Sequence, residues 1–583
     1  MALDIKKVCV IGAGVMGSGI AAQVANAGVP VLLLDILPRD GGNRNAVAEG
    51  AVAKALKTDP APFMSAGAAK LIECGNIEDD LKRVAECDWI VEVVLERLDV
   101  KQALYKRLEE VRRPGTAISS NTSTIPLATL LGGMPGSFAR DFMITHFFNP
   151  PRYMRLMELV TGPATDRALA DAVGAFCDVR LGKSVVVCHD SPGFIANRLG
   201  VYWMTSAVTE TPEIGLTVEE ADAVMGKPFG IPKTGVFGLS DLVGLDLMPH
   251  VTSSMAGALP PGDPFHKVNR EVPVVRKLLE TGYTGRKGKG GFYRINKSGG
   301  GRAKETIDLA TGEFRPEQRA NLPELAAAGK NIRAIFEAGG KVGTYAWNVM
   351  GRTLAYAASL LPEAADEITA IDEAMRLGYN WKFGPFELID KIGVDWFVQR
   401  LRAEGTPVAP ILEKAAGRNF YRVESGKRQY LGLDGAYHDV VRPDGVLLLE
   451  DIKLAQKPVL KNGSAAVWDI GDGVLCFEFT SKSNSLDDQI LALLQKTIAL
   501  VKEKYKALVI YNEGENFSVG ANVALALFAA NIAAWAQVEA TIATGQDMMQ
   551  KLKYAPFPVV AAPAGMALGG GCEFLLHSDA VQA

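Results

Sequence analysis

Three glycines near the start of the chain have the type and spacing of a phosphate-binding loop. Gly12, Gly14 and Gly17 directly follow the apolar run Val8–Ile11 and open a stretch compatible with a helix. The first glycine permits a tight turn, the second lets the backbone approach a pyrophosphate, and the third lets the helix pack closely on the strand. The amides of the first helical turn then face an anion. The spacing therefore predicts a dinucleotide-binding strand, turn and helix.

The acid that ends the next apolar run indicates which dinucleotide binds. Asp35 follows Val31–Leu34, at the position where such folds hold a ribose diol. A carboxylate there would repel the 2′-phosphate of NADP, so NAD is the expected cofactor, with Arg39 as the nearby charge that could offset this repulsion.

Side chains that can move a proton lie further along. His146 lies at the end of a mainly apolar stretch, after Ile144 and Thr145, and Glu158 lies in an apolar run twelve residues later. An imidazole paired with a carboxylate accepts a proton near neutral pH, although a lone histidine at a strand end is often structural. Ser123, in a hydroxyl-rich cluster that also fits a capping turn, and Asn197, in a predicted helix, favour a catalytic interpretation.

Five motifs, in one order, resemble those of the (S)-3-hydroxyacyl-CoA dehydrogenase family: GAGVMG, SSNTST, HFFNPP, MELV and DSPGFIANR. The resemblance implies that His146 is the general base for the 3-hydroxyl and that Glu158 orients and charges its imidazole. It also implies that Ser123 and Asn197 hydrogen-bond the substrate oxygen. The cofactor contacts implied by the resemblance are Asp35, Glu96 and Lys101.

Composition and charge exclude several other classes of protein. The 583 residues, 48% hydrophobic and 22% charged, are enough for several domains with large cores. The net charge is −4 and the basic residues are scattered, so we expect no nucleic-acid partner. Seven cysteines without CxxC spacing favour reduced thiols in a cytosol-like compartment and no metal site.

The ends of the chain and its most apolar stretch bear on location. The first predicted strand begins at Val8, which leaves no room for a cleavable signal peptide, so a cytoplasmic protein is expected. The stretch 523–536 is alanine-rich, contains Asn531 and is too short to span a bilayer. We therefore predict a buried helix there and no membrane span.

An internal repeat follows the first domain. Similar residues recur in two series: 220–226, 229–230, 241–246 and 289–294, then 372–378, 383–387, 390–395 and 417–422. The series resemble two copies of the family's C-terminal helical domain. Because single-copy members pair as dimers, the second copy could take the place of a partner subunit, which leaves monomer and dimer open. The second copy has no dinucleotide fold of its own, so we expect it to be structural.

Near the C-terminus a second set of motifs appears. FSVGAN and PAGMALGGGCE resemble the crotonase, or enoyl-CoA hydratase, superfamily. The resemblance implies that the amides of Ala521 and Gly570 form an oxyanion hole and that Glu573 is one of two glutamates that activate water. Asn522 stands where an aspartate is commoner. A helix-opening turn with an N-terminal carboxylate would also explain the GGGCE motif.

The predicted fold is an α/β Rossmann domain, then two repeated all-α dehydrogenase C-terminal domains, then an incomplete α/β crotonase-like domain. The predicted boundaries are 1–188 for the NAD-binding domain, 189–296 for the first helical copy, 297–342 for a connector, 343–430 for the second copy, 431–465 for a second connector and 466–583 for the crotonase-like part.

These features predict an NAD-dependent 3-hydroxyacyl-CoA dehydrogenase of fatty-acid β-oxidation joined to part of an enoyl-CoA hydratase. The expected partners are an acyl-CoA substrate and a thiolase of the same pathway. Two alternatives stay open: the crotonase part could be an isomerase or epimerase, or the whole chain could bind NAD and CoA without turnover.

The hydratase site is expected to be incomplete. The second glutamate of a hydratase would lie about twenty residues beyond Glu573, as the resemblance implies, whereas the sequence ends at Ala583. We expect negligible hydration of crotonyl-CoA by this polypeptide, measured by loss of enoyl absorbance. Hydration at ordinary enzyme rates would contradict this expectation.

Overall fold

The computed structural model describes residues 4–39, 41–297, 302–514 and 516–583. Residues 298–301 of the predicted first connector lie outside these ranges. The chain divides into two compact units. The first comprises Met1–Tyr421 and Tyr430–Tyr437, and the second comprises Arg422–Gln429 and His438–Ala583. Within the described ranges, no helix combines the length and the apolar character needed to cross a membrane.

The first unit begins with an eight-stranded sheet of order β3-β2-β1-β4-β5-β6-β7-β8. Strand β7 runs antiparallel to β6, and every other neighbouring pair of the sheet is parallel. The strands are β1 (Val8–Ile11), β2 (Val31–Asp35), β3 (Ile72–Asn76), β4 (Trp89–Glu92), β5 (Ala117–Ser120), β6 (Phe142–Phe147), β7 (Leu156–Thr161) and β8 (Ser184–Cys188).

Helices connect these strands and cover the sheet. They are α1 (Val15–Asn26), α2 (Ala46–Ala55), α3 (Leu98–Val111), α4 (Leu127–Leu130), α5 (Gly136–Asp141) and α6 (Arg167–Val179). The central strands read as nearly continuous apolar runs because they are buried on both faces. The predicted Rossmann fold is confirmed, and its sheet presents the carboxyl ends of β1, β4 and β5 at one edge.

The rest of the first unit is mainly helical. Its elements are α7 (Ala196–Ile214), α8 (Val218–Val224), α9 (Phe237–Val243), α10 (Met248–Ala258), α11 (Phe265–Val268), α12 (Pro273–Glu280), β9 (Tyr293–Asn296), β10 (Ala303–Ile307), β11 (Phe314–Pro316), α13 (Pro323–Ala328), α14 (Ile332–Glu337), α15 (Gly340–Ala346), a π-helical turn (Trp347–Gly351), α16 (Arg352–Ser359), α17 (Ile368–Gly378), α18 (Pro385–Ile392), α19 (Val394–Ala403) and α20 (Pro410–Lys414).

The internal repeat extends to individual hydrogen bonds. In the first copy, buried Asp222 accepts from the amides of Val236 and Phe237 at 2.7 and 2.8 Å and from the Tyr293 hydroxyl at 2.9 Å. In the second copy, buried Asp372 accepts from the Phe386 amide at 2.7 Å and from the Tyr421 hydroxyl at 2.9 Å. The two series therefore fold in the same way.

A second aspartate repeats as well. Asp241 accepts from the Phe292 and Tyr293 amides, both at 2.8 Å. Asp390 accepts from the two corresponding amides, Phe420 and Tyr421, at 2.7 and 2.8 Å. In each copy these bonds tie the closing aromatic motif to a helix of the bundle, which explains why the motif recurs in the sequence.

The two copies pack on each other within the first unit. The Lys382 amide of the second copy donates to the Gly230 carbonyl of the first at 2.8 Å. The Trp203 ring meets the rings of Tyr379 and Trp381 at centroid distances of 6.1 and 5.2 Å. Each copy thus covers an apolar face that the other would otherwise expose.

The stretch predicted as the first connector is more ordered than expected. Strands β10 and β11 lie within 297–342 and join β9 in a three-stranded antiparallel sheet. Helices α13 and α14 also lie there, and Asn331 caps α14 through the Ala334 amide at 3.4 Å. The Gly, Ala, Glu and Pro content of this stretch suggested a linker. Its strands were not predicted because they are short and contain no long apolar run.

The second unit contains the crotonase-like part. Together with the strands that precede it, its elements are β12 (Tyr421–Glu424), β13 (Lys427–Leu431), β14 (Tyr437–Asp439), α21 (Leu449–Ala455), β15 (Leu460–Lys461), β16 (Ala465–Asp469), β17 (Val474–Phe479), α22 (Asp488–Lys504), β18 (Ala507–Tyr511), β19 (Asn516–Ser518), α23 (Val523–Asn531), α24 (Trp535–Lys553), β20 (Val559–Ala562), β21 (Met566–Ala567), α25 (Gly570–Leu576) and β22 (Ala580–Val581).

Two sheets organise the crotonase-like part of this unit. One has six strands in the order β15-β16-β17-β18-β20-β22, and the other is the parallel pair β19 and β21. Strands β17, β18 and β20 are parallel neighbours, and α22 and α24 pack together beside them. The α/β architecture predicted from Val474 onward is confirmed.

One prediction for this unit is wrong. Helix α23 forms within 523–536, but it is not buried: Leu527 is 61% exposed and Phe528 is 64% exposed. High apolar content alone suggested burial, yet a helix that is apolar on all sides has no polar face to indicate which side contacts solvent. Val523, Leu527 and Phe528 of α23 lie at the surface of the unit.

We predict that Asp372→Ala destabilises the protein, by about 3 kcal/mol, because it removes the buried carboxylate that accepts from the Phe386 and Glu387 amides and from the Tyr421 hydroxyl. Urea unfolding measures the effect. Asp395→Ala is the matched control, since exposed Asp395 accepts one bond, from the Gly417 amide at 2.9 Å. Equal losses in the two variants would contradict the structural importance of Asp372.

Candidate active site

The glycine loop has the geometry expected of a pyrophosphate cradle. Gly12 has a φ of +106°, and its amide donates to the Leu34 carbonyl at 2.8 Å. A Cβ at Gly17 would lie 1.7 Å from the Gly12 carbonyl oxygen, so α1 can approach the turn only without a side chain there. No atom lies within 4 Å of where a Cβ at Gly14 would stand. The space over Gly14 is open to a ligand, and the N-terminus of α1 faces it.

Asp35 lies beside this loop at the end of β2. One carboxylate oxygen accepts from the Ala13 amide at 2.5 Å, and the other accepts from the Ile36 amide at 2.6 Å. These two backbone donors fix the carboxylate next to Gly12 and Gly14. A ribose diol bound over the loop would therefore meet a preoriented acceptor.

Glu92 connects strand β4 to helix α3 and strand β5 through buried hydrogen bonds. This fully buried carboxylate ends β4 and accepts from Lys101 Nζ, the Tyr105 hydroxyl and the Ser120 hydroxyl, each at 2.7 Å. The sequence interpretation assigned no role to Glu92. The sequence did contain an indication of this role. Glu92 interrupts the apolar run 89–94, and an acid in such a run is rarely buried unless it is paired.

Lys101 lies beneath this edge. Its side chain is 1% exposed, and its ammonium reaches Glu92 at 2.7 Å and Glu96 at 3.3 Å. The ammonium thus faces two carboxylates. Lys101 therefore holds the Glu96 carboxylate through an ion pair, whereas the Glu96 side chain is 40% exposed and remains open to a ligand.

Glu96 also organises the hydroxyl cluster that follows β5. Its Oε1 accepts from the Thr122 hydroxyl at 2.5 Å, the Ser123 amide at 2.9 Å and the Thr124 amide at 3.2 Å. Burial alone would raise the pKa of Glu96, but the Lys101 charge and these hydrogen bonds together hold the pKa below its ordinary value. Glu96 is therefore a carboxylate at neutral pH, and it fixes the loop that carries Ser123.

His146 and Glu158 are brought together by strand register. They are direct partners across the antiparallel pair β6 and β7, and His146 Nδ1 lies 2.7 Å from Glu158 Oε2. The other carboxylate oxygen accepts from the amides of Ile195 and Ala196 at 3.1 and 2.8 Å. Both residues are buried. A carboxylate held in this way favours the imidazole tautomer that carries its proton on Nδ1.

The second imidazole nitrogen points to the hydroxyl cluster. His146 Nε2 lies 3.3 Å from Ser123 Oγ. The Phe148 and Phe194 rings lie against the imidazole, with centroids at 4.5 and 5.7 Å. Phe194 has a φ of +50°, an uncommon backbone conformation that the turn before α7 imposes. With Nδ1 bonded to Glu158, Nε2 is the nitrogen available to take a proton.

Asn197 lies near this group but does not join its hydrogen bonds. It is the second residue of α7, half-buried, and directly follows Ala196, whose amide contacts Glu158. Across the described ranges its side chain makes no hydrogen bond to another residue. Its amide is therefore free to bind a ligand.

The second unit contains a separate group of chemical interest. The loop before α23 and the N-terminus of α25 converge, and a Cβ at Gly570 would lie 3.8 Å from the Ala521 nitrogen. Neighbouring amides are used within the loops: Asn522 donates to Leu486 at 3.1 Å and Gly571 to Leu568 at 2.8 Å. By contrast, in the described part of the chain the amides of Ala521 and Gly570 donate to no other group.

Two free amides that converge from different loops are the arrangement required of an oxyanion hole. Glu573 lies one turn further along α25, and its Oε2 is 3.8 Å from where a Cβ at Gly570 would stand. The Phe574 ring anchors the helix in the core, with its centroid 5.1 Å from that of Phe479. The exposed carboxylate of Glu573 is thus held beside the two amides.

Comparison with protein families covers most of the chain. The 3-hydroxyacyl-CoA dehydrogenase NAD binding domain matches residues 7–191, and the C-terminal domain of the same enzyme matches residues 193–295 and 344–431. The enoyl-CoA hydratase/isomerase family matches residues 469–583. The two stretches matched by the C-terminal domain coincide with the two copies of the repeat.

Individual relatives agree with the family matches. The sequence is 37% identical to a Bacillus subtilis protein named "Probable 3-hydroxyacyl-CoA dehydrogenase", over 99% of this chain and 75% of the relative. It is 34% identical to a Rickettsia felis protein named "Putative fatty acid oxidation complex trifunctional enzyme", over 100% of this chain and 77% of the relative. A crystal structure of 3-hydroxybutyryl-CoA dehydrogenase from Escherichia coli K12 shares the fold, with a TM-score of 0.55 and 24% identity over 71% of this chain and 98% of that one.

We predict that Asp35→Asn weakens discrimination between NADH and NADPH, by about tenfold or more, because it removes the negative charge that would face a 2′-phosphate. The measurement is the ratio of kcat/KM for the two dinucleotides. Asp59→Asn, on the 55–62 surface loop, is the control and should keep the wild-type ratio. An unchanged ratio in Asp35→Asn would contradict the assignment of Asp35 to the ribose site.

Proposed function

The chain belongs to the 3-hydroxyacyl-CoA dehydrogenase family, and we propose that His146, Glu158, Ser123 and Asn197 are the residues that carry out its reaction. The reaction is the NAD-dependent oxidation of (S)-3-hydroxyacyl-CoA to 3-ketoacyl-CoA, a step of fatty-acid oxidation. The chain also carries an enoyl-CoA hydratase/isomerase domain. The observation that supports the residue assignment best is the His146–Glu158 contact at 2.7 Å, with Nε2 directed at Ser123.

His146 is the proposed general base. Oxidation removes a hydride from C3 of the substrate and a proton from its 3-hydroxyl, and NAD held at the glycine loop would supply the acceptor for the hydride. Glu158 holds the Nδ1 proton, so the lone pair of Nε2 faces the substrate hydroxyl and accepts its proton. The Glu158 carboxylate then stabilises the imidazolium that forms.

Ser123 and Asn197 are the proposed ligands of the substrate oxygen. Ser123 Oγ lies 3.3 Å from Nε2, so an oxygen that reacts with His146 would also lie within reach of this hydroxyl. The Asn197 amide makes no competing bond within the described ranges and begins the helix whose first amides bind Glu158. Two donors on the carbonyl oxygen that develops at C3 would hold the substrate in register with the base.

The proposed NAD site is formed by the loop of Gly12, Gly14 and Gly17, with Asp35 and Glu96 as acceptors for the ribose hydroxyls. The open space over Gly14 and the two amides that orient Asp35 support this assignment. Lys101 is placed beneath Glu96 and would act on the cofactor through that carboxylate.

For the crotonase-like part we propose that the Ala521 and Gly570 amides bind the thioester oxygen of an acyl-CoA and that Glu573 transfers a proton. The amides would stabilise the enolate charge that develops on that oxygen. Hydratases, isomerases and epimerases of this superfamily share the enolate, so the two amides fit each of them. We favour the hydratase because its product is the substrate of the dehydrogenase.

The same reasoning extends to location and partners. We propose that the protein works as a monomer, because the second helical copy covers the face on which a partner subunit would pack. We propose a cytoplasmic location from the seven free cysteines.

A 3-ketoacyl-CoA product requires a thiolytic enzyme to consume it, which makes a thiolase the proposed partner. The domain boundaries given above, with structured segments in place of a loose first connector, are part of the proposal.

The test follows NADH absorbance with acetoacetyl-CoA for the wild type and for His146→Gln, with NADPH in parallel. We expect the wild type to oxidise NADH, and the variant to lose about 10²- to 10⁴-fold in kcat because, in this direction, it lacks the group that gives a proton to the ketone oxygen. His250→Gln, which changes an exposed histidine of α10, should keep wild-type activity.

Three outcomes would contradict the proposal. They are an inactive wild type, a His146→Gln variant that turns over as fast as the wild type, and a preference for NADPH.

A further inference from the structure

The C-terminal end of α17, in the second helical copy, lies against the elements that carry His146 and Glu158. Gly378 is the last residue of α17. A Cβ at this position would lie 2.9 Å from Leu156 Cδ2, 3.3 Å from Ala196 Cβ and 3.7 Å from Phe148 Cε1. The helix therefore approaches this part of the first copy and of the sheet more closely than a side chain at position 378 would allow.

Each of the three neighbours of Gly378 touches or flanks the His146–Glu158 pair. The Phe148 ring packs on the His146 imidazole with centroids 4.5 Å apart. The Ala196 amide donates to Glu158 at 2.8 Å. Leu156 begins β7, two residues before Glu158, and both are fully buried. A displacement at Gly378 would thus reach both members of the pair.

Tyr379 continues the same contact one turn further along the same face of α7. Its ring fills the space over Gly200, where a Cβ would lie 1.9 Å from the Tyr379 hydroxyl oxygen. Its ring also meets the edge of Trp203 at 6.1 Å. Burial raises the pKa of Tyr379, and the negative charge of Glu158 raises it further. Tyr379 fixes the first turns of α7, which supply the amides that bind Glu158.

Gly226 ends the series 220–226 of the first copy as Gly378 ends the series 372–378, although it follows Asp222 by four residues and Gly378 follows Asp372 by six, and it makes a different set of contacts. A Cβ at Gly226 would meet the carbonyl oxygens of Asp222, Pro232 and Ala223, at 2.8, 3.8 and 3.9 Å, and all three belong to the same copy. The role of Gly226 is therefore internal packing. The contacts of Gly378 with Phe148, Leu156 and Ala196 do not follow from the repeat, since they belong to the position of the second copy against the dehydrogenase site.

We propose that Gly378 and Tyr379 are positioning residues of the dehydrogenase, through which the second helical copy holds the His146–Glu158 pair in its reactive geometry. The second copy then does more than bury an apolar face of the first copy, because its residues pack directly behind the His146–Glu158 pair. The inference rests on the proposed function, because it assigns these residues to the step that His146 performs.

The experiment places a methyl group at the contact and then makes room for it. Gly378→Ala should lower kcat for acetoacetyl-CoA reduction by about tenfold to a hundredfold, because a shift of about 1 Å in a catalytic group has an effect of this size. The KM for NADH should not change, since the dinucleotide site lies on other strands. Alanine favours a helix more than glycine does, so α17 itself is not weakened.

Rescue distinguishes positioning from general damage. Leu156→Val removes the Cδ2 atom that a methyl group at position 378 would meet, so the double variant Leu156→Val/Gly378→Ala should regain most of the lost kcat. Gly351→Ala is the matched control, because a Cβ there would be at least as crowded, 2.5 Å from Trp347 Cε3, and its three nearest neighbours are all atoms of Trp347. It should lower the melting temperature and keep kcat.

If Gly378→Ala does not fold, Tyr379→Leu tests the packing of Tyr379 on α7. This variant should lower kcat with an unchanged KM for NADH. Unchanged kcat in the folded variants would overturn the inference, as would a loss that the second substitution fails to restore. A loss of the same size in Gly351→Ala would also overturn it. An inactive wild type would instead overturn the proposed function on which the inference rests.

Discussion

The antiparallel pairing of β6 with β7 is the constraint on which the site depends. It places His146 directly opposite Glu158 in a sheet whose other neighbouring strands are all parallel. A shift of one residue in this register would send one of the two side chains to the opposite face. The first amides of α7 hold the second carboxylate oxygen, so the helical part of the unit is tied to the same carboxylate. Strand register, helix start and imidazole tautomer are therefore set together.

The buried charges on the dinucleotide side of the sheet edge are also held in place by several hydrogen bonds each. Burying Glu92 and Lys101 would be costly unless each charge were paired and hydrogen-bonded, and both are, with Tyr105 and Ser120 completing the acceptor positions of Glu92. Glu96 then links this network to the loop of Ser123. The cofactor edge and the proton-transfer residues thus share one set of hydrogen bonds, so a change at one of them is expected to reach the other.

Local patterns in the sequence predicted the parts of the molecule that depend on neighbours along the chain. The Rossmann strands and the internal repeat were predictable because apolar runs and recurring residues indicate them directly, whereas the assignment of Ala521 and Gly570 rested on the resemblance to the crotonase superfamily. Features that depend on distant partners were not predictable. Lys101 was expected at the cofactor, but only the fold shows that Glu92 lies beneath it, and the exposure of α23 depends on what packs beside it rather than on its composition.

The tautomer of His146 tests the central claim most directly. Histidine-selective ¹⁵N labelling and a ¹H–¹⁵N NMR spectrum, with the His146 signal assigned from its loss in His146→Gln, report which imidazole nitrogen carries the proton in the neutral ring. The account predicts a proton on Nδ1, hydrogen-bonded to Glu158, and an unprotonated Nε2. A proton on Nε2 would mean that Glu158 does not orient the ring as the structure indicates, and it would contradict the role of His146 as the base.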